Sequence, residues 1–485
     1  MRLLNDERAQ SIQIGAVLLF AVLIILLSTW QAFVVPNQNE GIEFNHNQDV
    51  QQQLTELRTT VNSMPAATTT QSATIDLGVR YPSRTIFRNP PPSAGTIRTV
   101  GTTDADFNVS IENATAVADD VDDYWTGQAR QYDTGAIEYQ PRYSEYQDAP
   151  RTIYEHSVLY NKFDRQGQEL SITGQTLVRD DRITIVALNG TLRENRIDST
   201  SIDFEPISTR TRTVEVGNST HNVTISSPTA MNADEWRTLF EDEMVDNGGH
   251  VLNVTTTEFA GSEEFSMLEV TLEPGNYSLQ LAKVGVGTGT TPTESAYITA
   301  VAGQGSTIDD GETQELTVEV RDDYNKPLRG VTVKANATGG SIGNSSETGI
   351  DGQATFEYNT SGLSLSPGQE VTDDINFTIT EGYEPDATHN EQSPENLTLE
   401  VTVQREKTPS SSSGSDLLPG PKPTNLTLNS STVVQSETLD IINASFDNQG
   451  NTTFNRGGTD VVGGEYYIVE GDVSDPNNGG TVVRG

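Results

Sequence analysis

Cysteine is absent from the 485 residues of this chain, and histidine is scarce. Without cysteine there are no disulfides, no thiolate nucleophiles and no cysteine-ligated zinc or iron–sulfur sites. No H-E-x-x-H, Walker A, G-x-S-x-G or Rossmann motif occurs either. The histidines are scattered beyond helical reach of one another, at His46, His156, His221, His250 and His389. The sequence therefore predicts no catalytic residues, no metal site and no cofactor, and we expect no enzyme activity.

Basic residues are also few. Lys and Arg number 29 against 69 Asp and Glu, which gives a formal net charge of -40 and a pI near 4.2. Such a field repels polyanions, so we expect no nucleic-acid partner. The carboxylates are spread among strand-like segments rather than gathered in one block. This distribution is typical of a protein that stays soluble at molar salt, where a Debye length of ~3 Å screens its self-repulsion.

One long uncharged run interrupts this polar composition, from Ser11 to Val35. As a helix its roughly 25 residues would span a bilayer, and the run is too long for a cleaved secretory signal. Arg2 and Arg8 precede it, and the next basic residue is Arg58. The positive-inside rule then predicts a single-pass membrane protein with a cytoplasmic N-terminus and an extracellular bulk.

The residues around the start of this run are Asp6-Glu7-Arg8-Ala9-Gln10-Ser11-Ile12-Gln13-Ile14-Gly15. They resemble the N-terminus of haloarchaeal type IV pilins. In that family a basic residue and Ala precede the prepilin peptidase cut. The resemblance implies cleavage between Ala9 and Gln10, which removes a leader of residues 1–9 and keeps a transmembrane helix of residues 10–36. An uncleaved signal anchor is the alternative.

Residues 37–73 are expected to hold a short amphipathic helix and a linker. Apolar residues recur there at alternating spacings of four and three, at Val50, Leu54, Leu57, Val61 and Met64, with Asp49 placed to cap the helix start. Two interpretations remain open. The helix packs on the next domain, or it forms a self-associating stalk with other pilin-like subunits.

Beyond residue 74 the period changes from helical to two, and residues 74–298 predict a mixed, mainly β exterior domain. One helix is predicted inside it, from Asn232 to Val245. Asn232 and Glu235 have the spacing of a capping box. The apolar stripe of this helix is Trp236, Leu239, Phe240 and Met244.

Residues 299–404 show alternating apolar runs separated by turn signals, one of them Asp322 to Pro327, which predict an antiparallel β-sandwich. The motifs Val318-Glu319-Val320-Arg321-Asp322, Asn325-Lys326-Pro327-Leu328-Arg329-Gly330-Val331 and Thr348-Gly349-Ile350-Asp351-Gly352-Gln353-Ala354 are similar to bacterial Ig-like domains of invasin and intimin type. The resemblance implies a spacer or an adhesive tip. Residues 405–424 predict a flexible linker, and residues 425–485 predict a partial β domain that is incomplete or needs a partner strand.

Sixteen N-x-S/T sequons follow residue 107, where the predicted topology is extracellular, and each is a candidate N-glycosylation site. They are Asn108, Asn113, Asn189, Asn218, Asn222, Asn253, Asn276, Asn336, Asn344, Asn359, Asn376, Asn396, Asn425, Asn429, Asn443 and Asn451.

Two acidic segments contain oxygen ligands suited to Ca²⁺, at Asp119 to Asp123 and at Asp104, Asp106 and Asn108. Neither has the turn Gly and distal Glu of an EF-hand loop, so we interpret both as solvated surface. A glycosidase pair of carboxylates is the remaining enzymatic alternative, since sequence does not give the separation of two acids.

Taken together, the sequence predicts a membrane-anchored cell-surface protein of pilin-like type with a structural or adhesive role. Its expected partners are the membrane, other pilin-like subunits through the N-terminal helix, and a surface ligand or glycan. The first alternative is a signal-anchored envelope protein with Ig-like spacers and no filament, and the second is a surface hydrolase.

Overall fold

The computed structural model describes residues 7–118, 121–260, 262, 264–379 and 395–406 and four strands beyond residue 421; side chains are described only between residues 13 and 406. Strands make up 46% of the residues that the structure describes, and helices 18%. The mainly β fold class with an N-terminal helix is therefore confirmed. The chain divides into two compact units, Met1–Glu406 and Lys407–Gly485.

The described residues begin with one long helix. Helix α1 (Glu7–Thr29) passes through a π-helical turn (Trp30–Val34) into α2 (Val35–Ser63), and a 3-10 turn (Met64–Ala66) ends it. Pro36 lies in the first turn of α2, and the wider π turn just before it accommodates the missing N–H. The predicted helix start at Asp49 was wrong, because Asp49 lies well inside α2.

Strands β1 to β18 and one short helix follow. The strands are β1 (Gln71–Asp76), β2 (Gly95–Val100), β3 (Asn108–Glu112), β4 (Thr115–Ala116), β5 (Arg130–Asp133), β6 (Ala136–Pro141), β7 (Arg151–Glu155), β8 (Val158–Phe163), β9 (Gln168–Ser171), β10 (Val178–Arg179), β11 (Arg182–Asn189), β12 (Arg193–Arg196), β13 (Ser199–Ser208), β14 (Val214–Asn218), β15 (Thr224–Thr229), β16 (Val251–Glu258), β17 (Ser266–Leu272) and β18 (Gly275–Val286).

These strands form three sheets that enclose two apolar cores. The first sheet has the order β1-β13-β18-β11-β10, with β14 paired to β18 and β4 to β14. The second has the order β12-β2-β6-β7-β8-β9, and the third β16-β17-β15-β3-β5. Side chains of α2 lie in one core with β1, β2, β6 and β13. The other core is centred on the third sheet and contains Trp125 and Trp236.

Helix α3 (Ala233–Leu239) starts as predicted and ends early. The Asn232 side chain accepts hydrogen bonds from the backbone N–H groups of Asp234 and Glu235, both at 3.0 Å. The chain leaves the helical region at Phe240 and continues in 3-10 turns (Glu241–Glu243 and Val245–Asn247). Three consecutive acidic residues there oppose the negative end of the helix dipole, which disfavours extension to Val245.

The predicted sandwich is present and begins at Ser295. Its strands are β19 (Ser295–Ala302), β20 (Ser306–Asp309), β21 (Thr313–Asp322), β22 (Thr332–Ala337), β23 (Ser341–Ile342), β24 (Ser345–Glu347), β25 (Gln353–Asn359), β26 (Glu370–Ile379) and β27 (Asn396–Gln404). One sheet has the order β19-β21-β25-β23 and the other β20-β27-β26-β22-β24. Pairing is antiparallel except between β20 and β27. Alternate residues of both sheets, such as Phe356 and Phe377, fill the core between them.

The second unit contains a four-stranded antiparallel sheet. Its strands are β28 (Lys422–Leu428), β29 (Leu439–Asp447), β30 (Tyr467–Glu470) and β31 (Thr481–Arg484), in the order β28-β29-β31-β30. The predicted partial β domain of residues 425–485 therefore contains strands. Most of the predicted linker, residues 405–424, lies outside the described residues.

Candidate membrane anchor and its docking site

The N-terminal helix has two environments along its length. The stretch from Gln13 is long and apolar enough to cross a membrane by length and composition, and the apolar part of it is not buried by the rest of the chain. From Val35 onward, one face of the same helix is buried in the protein. The buried positions, spaced three or four residues apart, are Val35, Asn39, Glu43, Asn47, Val50, Leu54, Leu57 and Val61.

Glu43 makes the central polar contact between this helix and the domain. It is fully buried. One carboxylate oxygen, Oε1, accepts the N–H of Ser144 (2.8 Å), and the other, Oε2, accepts the N–H groups of Glu145 (2.8 Å) and Tyr146 (2.6 Å). Three successive backbone N–H groups directed at one carboxylate form an anion-binding nest. The nest fixes α2 to the segment after β6.

Tyr81 completes this site from a second loop. Its hydroxyl donates to Oε1 of Glu43 and lies 2.7 Å from the Ser93 hydroxyl. Burial, with the bond to Glu43 as a further contribution, raises the pKa of Tyr81 to about 12. The phenol therefore keeps its proton at neutral pH and remains a donor.

Further polar contacts flank Glu43 on the same face of α2. The guanidinium of Arg84 donates to the side-chain oxygens of Gln38 (2.7 Å), Asn39 (3.3 Å) and Asn89 (2.8 Å). One turn beyond Glu43, Nδ1 of His46 lies 2.6 Å from the Tyr143 hydroxyl. The polar half of the docking face is thus held by side chains from two loops.

The apolar half of the docking face follows. All five predicted seam residues, Val50, Leu54, Leu57, Val61 and Met64, lie in the core shared with the first two sheets. Arg58, on the flank of the seam, donates to the backbone oxygens of Ser157 (2.6 Å) and Gly174 (2.7 Å). This geometry is that of a helix packed on its own domain, the first of the two interpretations left open by the sequence.

The sandwich is joined to the preceding domain by aromatic side chains. Tyr324, at the predicted turn after β21, is 2% exposed, and its ring centroid lies 5.0 Å from that of Tyr132. Tyr297 of β19 stacks on Tyr124 at 4.4 Å. The guanidinium of Arg130 covers the Tyr124 ring at 3.3 Å from its centroid. These rings belong to the core of the exterior domain rather than to that of the sandwich.

Ion pairs surround this joint. Arg212 of the exterior domain donates to Glu319 of β21 at 2.8 Å, and Arg321 donates to the same carboxylate at 2.6 Å. Burial alone would raise the pKa of Glu319, but the bonds from the two arginines lower it overall. The ammonium of Lys326 donates to the backbone oxygen of Ile207 at 2.6 Å. The joint therefore combines buried rings with directed polar bonds, which favours one fixed orientation.

A buried acid lies beside a half-buried histidine in the exterior domain. Glu155 accepts from the Thr229 hydroxyl and from the Ala230 N–H, at 3.2 Å in the second case. Burial raises its pKa to about 7. Nε2 of neighbouring His156 lies 2.8 Å from the backbone oxygen of Pro228, and burial lowers the pKa of His156. A cavity of about 20 Å³ next to His156 has room for one water.

We expect Glu155 to contribute stability to this domain that is lost as the pH rises. In the unfolded chain the carboxyl loses its proton near pH 4.5, whereas in the folded protein it does so near 7. The folded state binds the extra proton between these values, so about 3 kcal/mol is lost between pH 4.5 and 7. The melting temperature should differ less between pH 5 and pH 8 for Glu155→Gln than for the wild type. Glu258→Gln, at an exposed position in β16, should keep the wild-type shift; an equal shift in all three proteins would contradict the assignment.

The predicted site residues occupy varied positions. Ala9 and Gln10 lie in α1, where side chains are not described. Exposed sequons are Asn222, Asn253, Asn276, Asn336 and Asn344, and half-buried ones are Asn108, Asn113, Asn218, Asn359, Asn376 and Asn396. Asn189 is buried, and its side-chain oxygen accepts from the Thr291 N–H at 2.7 Å, so it is the position least suited to a glycan. Asn425 and Asn443 lie in β28 and β29, whereas Asn429 and Asn451 lie outside the described residues.

The acidic segments do not converge on one point where they are described. Among the described residues, no group of three or more His, Cys, Asp or Glu side chains is placed to hold a metal ion. Asp119 and Asp120 lie outside the described residues. Asp104 and Asp106 are exposed, and Oδ1 of Asp104 accepts the N–H of Asp106 at 3.1 Å.

Two features escaped the sequence prediction, the Glu43 nest and the Tyr324 joint. Asn39, Glu43 and Asn47 continue the four-residue period of the apolar seam toward the membrane, and that period is the signal that could have revealed them. Their polarity made this face of α2 resemble solvated surface.

Comparison with known proteins gives limited likenesses. No protein-family model matches the chain. A protein of Archaeoglobus fulgidus, described as uncharacterized, is 25% identical over 329 residues, which are 67% of this chain and 53% of that protein. The chain thus spans about half the length of the curated relative that it matches.

Solved structures give weaker likenesses. Domains 4 and 5 of the S-layer protein SbsC are 15% identical, with a TM-score of 0.16, over 29% of this chain and 64% of that one. A longer SbsC structure is 11% identical, with a TM-score of 0.19, over 72% of this chain and 38% of that one. At TM-scores this low, neither likeness carries an argument about architecture or function.

Proposed function

We propose that this chain is a cell-surface protein held in the membrane by its N-terminal helix, with a structural or adhesive role outside the cell. The observation that carries the proposal is the continuity of α1 and α2. One half of this helix exposes apolar side chains, and the other half is built into the core of the exterior domain. The membrane anchor and the exterior domain are therefore connected through one continuous helix.

The exposed half requires an apolar environment. Its large apolar side chains, between 36% and 73% exposed, include Ile14, Val17, Leu18, Leu19, Phe20, Val22, Leu23, Ile24, Ile25, Leu26 and Leu27. A continuous apolar surface of this kind is rare on soluble monomers, and its length matches the ~30 Å hydrocarbon core of a bilayer. Trp30 follows at the position where aromatic side chains favour the membrane interface.

The pilin resemblance adds a specific proposal on processing. A prepilin peptidase would cut between Ala9 and Gln10, and the retained helix would then be free to pack with helices of other subunits. The rigid joint to the sandwich supports a role in which the β domains project from the surface as one body. Exposed sequons on both domains suit an extracellular location.

The mature N-terminus tests this processing. Mass spectrometry of the protein purified from a native-type archaeal host should show a chain that begins at Gln10. Ala9→Phe should block the cut, because a small residue precedes it in the resembling family, whereas Ala16→Phe, inside the apolar run, should leave it unchanged. A wild-type chain that retains Met1 would contradict prepilin processing and would favour the signal-anchored envelope protein without a filament.

A further inference from the structure

A loop of the exterior domain lies beside the membrane end of the helix. It comprises residues 80–92 and is called the membrane-proximal loop. Paired backbone hydrogen bonds between Val79 and Ser93, at 2.9 and 3.1 Å, close its base. Near its tip, the N–H and backbone oxygen of Arg88 both bond to the side-chain amide of Gln31, each at 2.9 Å. The tip is therefore level with the π-helical turn.

The aromatic side chain of this loop shares the position of Trp30. The Phe87 ring stacks on Trp30, with centroids 6.1 Å apart and an interplanar angle of 16°. A hydrocarbon core of ~30 Å takes up about 20 helical residues, and the apolar run places Trp30 at its outer boundary. Phe87 therefore lies at the same depth in the membrane as Trp30.

Exposed apolar and basic side chains surround this ring. Ile86 is 72% exposed, and Arg88 is exposed without an ion pair among the residues that the structure describes. The Arg84 side chain already donates hydrogen bonds to the helix, at Gln38 and Asn39. These bonds fix the loop to the helix. The side chains of Ile86 and Arg88 remain available for contact with a membrane.

The charge of this segment is the reverse of that of the chain. Between Asp76 and Asp104 there is no acidic residue, although the whole chain has 69 acids among 485 residues. The same interval contains four arginines, Arg80, Arg84, Arg88 and Arg98. Arg80 pairs with Asp198 and Arg98 with Glu138, so the local positive charge comes from Arg84 and Arg88. Two such arginines on a protein of net charge -40 suit an anionic neighbour at this place.

We propose that the membrane-proximal loop is a second membrane contact, in which Ile86 and Phe87 enter the lipid interface and Arg88 binds lipid phosphate. The proposal rests on the membrane anchor proposed above. Aromatic and aliphatic side chains beside arginine are the composition of interfacial membrane contacts, and the long arginine stem suits an apolar base with a charged end at the headgroups. Helix and loop together resist tilting of the exterior domain better than one helix alone.

Spin labelling of the full-length chain in liposomes tests the contact, and the absence of cysteine makes each introduced cysteine unique. The liposomes contain phosphatidylcholine and phosphatidylglycerol, and the readout is the ratio of collision rates with lipid-soluble oxygen and a water-soluble nickel chelate. Ile86→Cys should give a ratio about tenfold above that of Ile350→Cys. Ile350 is a matched control because it is 88% exposed in the sandwich, which contacts the exterior domain away from the membrane end of the helix.

Charge variants test the role of Arg88. In the Ile86→Cys background, Arg88→Glu should lower the ratio several-fold, and liposomes of phosphatidylcholine alone should do the same. Arg329→Glu changes the net charge equally at another exposed position in the sandwich and should have no effect. An unchanged ratio with Arg88→Glu would overturn the assignment of Arg88.

A third label separates this proposal from the anchor itself. Leu23→Cys, in the middle of the apolar run, should report lipid. If it does while the label at Ile86 is as accessible to nickel as that at Ile350, the loop contact is wrong and the anchor stands. If Leu23 also reports water, the anchor is wrong as well. Protection of the Ile86 label from both reagents would indicate a protein partner and overturn the lipid contact.

Discussion

Replacing Glu43 by alanine is expected to lower the free energy of unfolding of the exterior domain by about 3–5 kcal/mol. The substitution leaves the N–H groups of Ser144, Glu145 and Tyr146 without their acceptor in a partly buried site. It also removes the partner of the Tyr81 hydroxyl. Each buried donor left unsatisfied costs ~1–3 kcal/mol, and entering water recovers part of the sum.

Glu43→Gln is the more specific variant, because it keeps the size of the side chain. A carboxylate accepts at both oxygens, whereas the amide group of glutamine would direct N–H donors at the N–H groups of the nest. We therefore expect Glu43→Gln to destabilise the domain as well, although less than alanine does. If Glu43→Gln were as stable as the wild type, the helix would be held by something other than hydrogen bonds to both carboxylate oxygens.

Calorimetry and hydrogen exchange on the detergent-solubilised full-length chain measure the effect. The melting temperature should fall, and the amides of residues 144–146 should lose protection by about 100-fold or more. Glu40→Ala is the matched control, since Glu40 lies on the same helix one turn closer to the membrane and is exposed. Its effect should stay within ~0.5 kcal/mol. Equal effects of the two alanine variants would contradict the docking role of Glu43.

The nest also shows where prediction from the sequence ends. The apolar seam from Val50 to Met64 could be predicted because periodicity identifies a buried helix face. Asn39 and Glu43 have the same period, but burial of a polar side chain depends on its partners, which here are 38 or more residues away in the chain. Nothing local indicates that backbone N–H groups from a distant loop converge on one carboxylate.

Local rules also fixed some element ends and missed others. Asn232 was identified correctly as a helix cap, because capping depends on the next three residues only. The sequence predicted a transmembrane helix of residues 10–36 and a second helix that starts at Asp49. The π-helical turn before Pro36 instead let one helix continue, so Asp49 lies in its interior. Whether one helix continues past Pro36 depends on how the residues on both sides of the proline pack, which local sequence rules do not give.

The sandwich illustrates the same division between local and distant information. Alternation along the strands predicted two facing sheets, since period two is set by strand geometry. The turn at Asp322 to Pro327 was predicted as well. The docking of Tyr324 was not predicted, because the ring that it contacts belongs to Tyr132, about 190 positions earlier in the sequence.

Replacing Tyr324 by alanine is expected to release the sandwich from the exterior domain and to cost about 3–5 kcal/mol of stability at the joint. The ring is 2% exposed and lies in the core of the exterior domain, so its removal leaves a cavity between the two bodies. Asp322 would still form the turn, since its Oδ1 accepts the N–H groups of residue 324 and Lys326, both at 2.9 Å. Loss of docking without loss of the sandwich fold is therefore expected.

Two spin labels across the joint measure this release. Cysteines placed at the exposed positions Glu215, in β14, and Glu357, in β25, give a distance between the two domains. The wild type should show one narrow distance distribution and Tyr324→Ala a broader one. The contacts that remain are the stack of Tyr297 on Tyr124 and polar bonds such as that of the half-exposed Arg212, whose ion pair in water is worth only ~1 kcal/mol or less. Ile350→Ala, which removes an exposed side chain, should keep the narrow distribution. A narrow distribution in Tyr324→Ala would show that the Tyr297 stack and the ion pairs around Glu319 hold the orientation without the Tyr324 ring.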